Sequence, residues 1–174
     1  MRVNIALKWR IRMVFVALIL TLVVAEKQIE RLGDAYQIAL PVIGLGCSLT
    51  NGTAVDFALR YGVQLTAVHS GKWALGKRTI NQRPRGGFHG MPSGHTATAF
   101  LGASKIARDC VGRNPVVRAT VWAFAGFVGA SRVSVGAHTI WQVLIGALVG
   151  VVCDRAFRGA LSRVRQLRKG RRRD

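Results

Sequence analysis

Acidic side chains are scarce in this chain: seven Asp and Glu stand against 26 Lys and Arg, a formal charge of +19 over 174 residues. A basic surplus of that size raises the question of a nucleic-acid partner. A soluble binder of that kind interleaves its charges with its apolar residues, and here the two are segregated. Thr120 to Ala130 carries no charge at all, while arginines gather at the two ends and in a few short connections. Nucleic acid is therefore excluded as the partner. Cysteines are also few, and Cys47, Cys110 and Cys153 lack the spacing of metal ligands or of a disulfide framework. There is no internal repeat, and the only biased segment is the Arg-rich C-terminal end.

What the chain does have is apolar length. Half its residues are hydrophobic, and a bilayer crossing needs roughly 20 mostly apolar residues as a helix. Runs and breaks predict an all-α bundle of six spans at about 11–25, 35–50, 53–70, 93–110, 116–135 and 138–157. The membrane domain would cover residues 1–160, with 161–174 as a basic tail. Arg2, Lys8, Arg10 and Arg12 ahead of the first run mimic a secretory leader. No small-x-small cleavage site follows, since Val24-Ala25 runs into Glu26-Lys27-Gln28, so an uncleaved first span is expected. The third run holds Asp56 and Arg60, four apart on one helix face and expected to neutralise each other.

Orientation follows from the basic residues. Both termini are basic, and an even number of spans puts them on one side, the cytoplasm. The connection from Glu26 to Asp34 carries three acidic residues against two basic ones. The tail, with Arg163, Arg165, Arg168, Lys169 and Arg171 to Arg173, is expected to hold anionic inner-leaflet lipids. All three cysteines then face the reducing side and are expected to be packing thiols. One connection breaks the rule: residues 71–92 carry Lys72, Lys77, Arg78, Arg83 and Arg85 on the outer face. Cations placed against the topological preference point to an anion.

Three segments on that face carry chemistry: Lys77 to Arg83-Pro84, then Pro92-Ser93-Gly94-His95, then Ser131-Arg132 followed by His138. Pro92 and Ser93 are good helix-start residues, and a helix N-terminus with a nearby glycine is a ready phosphate site. Lys77, Arg83 and Arg132 add fixed positive charge, and two histidines converge from two helices. A nucleophile, a proton donor and cations around the phosphate oxygens are the parts that phosphoryl transfer needs.

Together the three segments resemble the signature of the type 2 phosphatidic acid phosphatase superfamily: Lys-x6-Arg-Pro, Pro-Ser-Gly-His, and Ser-Arg-x5-His-x3-Asp. The resemblance implies that His138 attacks phosphorus to form a phosphohistidine, and that His95 protonates the leaving oxygen and later activates water. It implies that Lys77, Arg83 and Arg132 hold the phosphate, with Ser93 and the Gly94 N–H, and that no metal or other cofactor takes part. Two positions depart from the pattern. The Lys77–Arg83 interval is one residue short, leaving Lys72 and Arg78 as substitutes for Lys77. Gln142 stands where the superfamily has Asp; its side-chain oxygen can still orient His138, without the charge that strengthens such a bond. Asp154, far along the same helix, is too distant to help.

The run from Arg83 through Gly86-Gly87 to His95 is similar to that of bacterial lipid A 1-phosphatases. A bacterial inner-membrane enzyme on a lipid phosphate is implied, with undecaprenyl diphosphate or phosphatidylglycerol phosphate as alternative substrates. A lipid-phosphate binder without turnover, and a small channel or assembly protein with incidental histidines, are the competing classes. His89 reads as a loop histidine ahead of a pocket residue, while His69 and Lys72 lie where substrate would pass.

Overall fold

A computed structural model describes residues 9–16 and 29–156, and every regular element among them is helical. The first expected span is seen as a helix over residues 9–16 (α1). The rest of that span and the basic tail lie outside the described residues. Then come α2 (Ile29–Thr50), α3 (Ala54–Leu75), α4 (Gly94–Lys105), α5 (Pro115–Ser134) and α6 (Ile140–Ala156). A single 3-10 turn, Thr79–Asn81, interrupts the long connection after α3, and a π-helical turn, Ile106–Cys110, extends α4.

The breaks fall where the chain chemistry puts them. Ser93 caps α4, its Oγ accepting from the Thr96 amide at 3.5 Å. Asn114 caps α5, its Oδ1 accepting from the Val117 amide at 3.1 Å, with Pro115 in the first helical position. Two helices outrun their expected ends. Because α2 starts at Ile29, Glu30 and Asp34 belong to the helix and not to a connection; acidic residues suit its positive N-terminal end. Because α3 continues to Leu75, His69 and Lys72 also stand on a helix. By length and composition α2 and α5 are apolar enough to cross a bilayer. Large apolar side chains face outward on several helices, among them Val42 and Leu49 on α2, Val55 on α3, and Trp141, Leu144 and Leu148 on α6.

The centre of the bundle is α4. Every residue of it except Gly94, His95 and Phe100 is buried, and it packs on α2, α3, α5 and α6. Small residues make that approach possible. A Cβ on Gly146 of α6 would lie 2.5 Å from the Ser93 carbonyl oxygen, and one on Gly102 of α4 would lie 2.5 Å from the Pro41 nitrogen of α2. Gly150 of α6 stands against the Ala97 carbonyl in the same way. Tyr36, Leu40, Ala99, Ala103, Val121, Ala125 and Val128 fill the space between α2, α4 and α5.

At the end of the bundle opposite the α4 N-terminus, charges are buried in mutual contact. Asp154 is fully buried and pairs with Arg60 at 3.1 Å and Arg108 at 2.7 Å, and accepts from Ser104 at 2.7 Å. Arg60 thus reaches across to α6, and also donates to the backbone carbonyl of Asp56. One expectation about the cysteines fails: Cys47 and Cys110 are joined by a disulfide, and only Cys153 is free. The partners lie 63 residues apart, on the end of α2 and on the π-helical turn, so no local spacing could signal them.

If backbone contact sets the α4 packing, Gly150→Val should lower the thermal midpoint in detergent micelles, at a cost of about 1–3 kcal/mol. Gly126→Ala on α5, where a Cβ meets nothing within 4 Å, should leave it unchanged or raise it slightly.

Candidate active site

Two connections, α3–α4 and α5–α6, meet the start of α2 at the N-terminus of α4. The first connection, between α3 and α4, is organised by Asn81, which is fully buried. Its Nδ2 donates to the Lys72 and Gly76 carbonyls at 2.9 and 2.7 Å, and its Oδ1 accepts from the Met91 amide at 2.8 Å. The Gly90 amide closes the loop onto the Asn81 carbonyl at 2.8 Å. This fold of the loop presents Arg83. Its Nη2 donates to the His89 carbonyl at 3.3 Å, while its Nε is buried with no protein acceptor. A buried donor without a partner is costly, and it is the kind of vacancy an anionic oxygen fills.

The second connection carries His138. Gly136, with φ of 65°, ends α5 in the left-handed conformation that glycine adopts without strain. The chain then turns back, so that the amides of Ala137 and His138 both reach the Arg132 carbonyl, at 2.9 and 3.1 Å. His138 is 3% exposed and sits ahead of α6. Its Nδ1 lies 3.1 Å from Gln142 Oε1. The protonation of that nitrogen can be deduced. Gln142 Nε2 faces the carbonyls of Ile80 and Gln82 at 3.1 and 2.8 Å, which can only accept. The amide oxygen must therefore face His138, so Nδ1 carries the proton and Nε2 keeps its lone pair. Burial, together with the nearby charges of Arg83 and Lys72, outweighs the hydrogen bonds to Gln142 and the Gly90 backbone and lowers the His138 pKa to about 4. The ring is neutral at physiological pH.

His95, the second residue of α4, is partly open to solvent. Its Nε2 lies 3.3 Å from Asp34 Oδ1. The same carboxylate oxygen pairs with Arg132 Nη1 at 2.9 Å. Arg132 is nearly buried, and its other donors go to the Glu30 carbonyl at 2.7 Å and Ser131 Oγ at 3.2 Å. Glu30 also pairs with Arg85 at 3.3 Å. Two of the chain's few acidic residues therefore hold Arg132 and Arg85. Asp34 and Asn81 went unnoticed in the sequence. For Asp34 a signal existed: Glu30 and Asp34 stand four apart, on one helix face, in a chain with seven acids.

The remaining expected residues divide. Ser93 is fully buried and spends its hydroxyl on Thr96, whose own hydroxyl donates to it at 3.0 Å. Gly94 opens α4, and a Cβ there would lie 3.8 Å from Lys72 Nζ. It is thus Lys72, not Lys77, that the structure brings to the helix start; Lys77 is exposed beyond the end of α3. His89 lies on the loop, its ring 5.3 Å from that of Trp73 and its Nδ1 3.2 Å from the Lys72 carbonyl. Beside the site runs a groove of about 560 Å³ between α2, α3 and α4. Lys72, His69, Gly94 and His95 line one end; Ile38, Val42, Leu45, Phe57, Tyr61 and Leu65 continue it as an apolar trough.

The sequence model of the PAP2 superfamily matches residues 56–165, which contain every residue named for the site except those on α2. A protein of Porphyromonas gingivalis named lipid A 1-phosphatase is 36% identical over 100 residues, which is 57% of this chain and 21% of that relative. The chain thus spans about a fifth of that relative's length. No solved structure matches.

Loss of the carboxylate that bridges His95 and Arg132 should be felt in stability. Asp34→Ala is expected to cost about 1–2 kcal/mol, below the value for a fully buried pair because the carboxylate is half exposed. Glu30→Gln, which keeps the backbone carbonyl on Arg132, should cost less than about 1 kcal/mol. Thermal unfolding of the two variants side by side decides the point.

Proposed function

Because this chain belongs to the PAP2 superfamily, we propose that it is a membrane phosphatase releasing inorganic phosphate from a lipid phosphate through a phosphohistidine. The observation that carries this is a neutral, buried His138, its Nδ1 held by Gln142, beside a buried Arg83 Nε that has no acceptor. His138 Nε2 attacks phosphorus as the bond to the leaving oxygen breaks, and His95 gives that oxygen its proton. Water, deprotonated by His95, then attacks the phosphohistidine; phosphate leaves and His138 is regenerated. Arg83, Arg132 and Lys72 surround the phosphate oxygens with positive charge, Lys72 taking the place expected of Lys77. Ser93 holds the α4 start in shape, and the Gly94 N–H at that start faces the anion. Gln142 orients the nucleophile.

The groove supports an amphiphilic substrate. From Lys72 to Phe57 the α3 helix runs about 22 Å at 1.5 Å per residue, enough for a hydrocarbon chain to lie beneath a phosphate held at the polar end. Several of its walls, including Ile38, Val42 and Leu45, are also exposed at the bundle surface. The trough therefore opens sideways, toward where lipid would be. The multi-pass arrangement we favour has six spans in a bacterial inner membrane. Both termini would be cytoplasmic, the basic tail against anionic lipids and the site on the outer face. The name of the Porphyromonas gingivalis relative makes the 1-phosphate of lipid A the first substrate to try, ahead of undecaprenyl diphosphate and phosphatidylglycerol phosphate.

Purified protein should release phosphate from one member of a panel of these lipids, unaffected by EDTA, and His138→Ala should abolish the release. A folded protein that hydrolyses none of them refutes the proposal. The acid limb of kcat/KM, which reports the free enzyme, should fall near pH 4. Below that the His138 ring takes up a proton and loses its lone pair; above it the nucleophile is competent, so activity should persist well below the ordinary histidine pKa of 6.5.

A further inference from the structure

We propose that Gln142 is a positioning residue that clamps the nucleophile His138 to the loop carrying Arg83, and that this site is built for an amide rather than the carboxylate of the superfamily pattern. The proposal rests on the phosphatase reading for its kinetic part only. Gln142 is 1% exposed, and its side chain uses all of its hydrogen-bonding capacity. Oε1 accepts from His138 Nδ1 at 3.1 Å and from the Thr139 amide at 3.2 Å. Nε2 donates to the Ile80 carbonyl at 3.1 Å and the Gln82 carbonyl at 2.8 Å. Gln82 immediately precedes Arg83. The backbone carbonyl of Gln142 accepts from the Ser93 amide at 2.9 Å, at the cap of α4.

A carboxylate accepts hydrogen bonds and has none to give when ionised. Placed here it would still orient His138, but it would set negative oxygens against two carbonyl oxygens that have lost their donor. That contact is repulsive, and the orphaned acceptors are costly inside the protein. The loop has also closed around the amide: a Cβ on Gly90 would lie 2.6 Å from both Nε2 and Oε1. The Gln at this position is thus matched by three separate features of the 80–90 loop: the two carbonyls and the bare backbone at Gly90. The amide's two ends fix the nucleophile on one side and the arginine's segment on the other, so the separation between them is set by one rigid group.

The test compares full-length wild type with Gln142→Glu, which has nearly the same size, and Gln142→Asp, which restores the superfamily residue. Gly90→Ala presses on the amide without removing a polar group. With the wild type's own lipid phosphate, both carboxylate variants should lose kcat on the order of 10²-fold, the scale of a nucleophile displaced by about 1 Å. KM should stay within a few-fold. Backbone hydrogen exchange over residues 79–90 should quicken in all three variants and stay unchanged in α5. A Gln142→Asp or Gln142→Glu protein that equals or exceeds the wild-type rate with unchanged exchange overturns the clamp; so does Gly90→Ala with wild-type rate and exchange, should the carboxylate variants fail to fold. Exchange is read without turnover. A wild type that releases no phosphate, but whose loop loosens in Gln142→Glu, keeps the clamp and sinks the phosphatase reading instead.

Discussion

The arrangement depends on one steric constraint, the backbone-to-backbone approach of α4 to its neighbours. Gly146 and Gly150 of α6 press on the first two turns of α4, and Gly102 of α4 presses on Pro41 of α2. In a lipid surround the apolar side chains gain nothing by leaving lipid for protein, so contact of this closeness is what selects one packing over another. Its product is local. The N-terminus of α4, with its free amides, is pinned at a fixed depth, and His95 stands on its second residue. The two flanking connections then need only span short gaps to bring Arg83 and His138 to the same place.

Charge is handled in two separate compartments. At the far end of the bundle Asp154 sits between Arg60 and Arg108, and Lys105 pairs with Asp109 at 2.8 Å. Those cations are matched locally. Near the α4 start the balance differs: Arg132 has Asp34, but Arg83 keeps a buried nitrogen without an acceptor. Positive charge is left unmatched where an anion would bind and nowhere else in these two clusters, a pattern of preorganisation in which the oriented donors await the ligand.

What could be read from the sequence was whatever is local. Ser93 and Asn114 mark helix starts by side-chain chemistry alone, and the apolar runs between such breaks located α4, α5 and α6 closely, while α2 begins six residues before its expected start and α3 ends five after its expected end. The Pro92 to His95 and Ser131 to His138 segments were legible for the same reason: their residues are neighbours both in sequence and in space. For Asp34 the spacing from Glu30 was the only trace, because its partners, His95 and Arg132, lie on other helices, and pairing across a bundle leaves no periodic pattern. Lys72 stayed behind Lys77 because it enters the site only if α3 runs past residue 70, and helix ends are the least determined part of any pattern. The Cys47–Cys110 link was missed on the same ground. Gln142 was read as a deficit because only its bond from His138 could be foreseen; the two carbonyls to which its Nε2 donates sit some sixty residues away.

The disulfide also has a topological consequence. Linking Cys47 to Cys110 closes a covalent ring that contains α3, the Arg83 loop, all of α4 and the π-helical turn after it. Lys72, Arg83, Ser93 and His95 are inside the ring; Asp34, Arg132, His138 and Gln142 are outside it. The site is therefore a seam between a cyclised half and an open half of one chain. Across that seam the polar side-chain connections at the site include Asp34 to His95, Glu30 to Arg85, and Gln142 to the carbonyls of Ile80 and Gln82. Neither half holds both the nucleophile and the proton donor, so their alignment is a property of what crosses the seam: these polar stitches and the bare-backbone contact of α6 with α4.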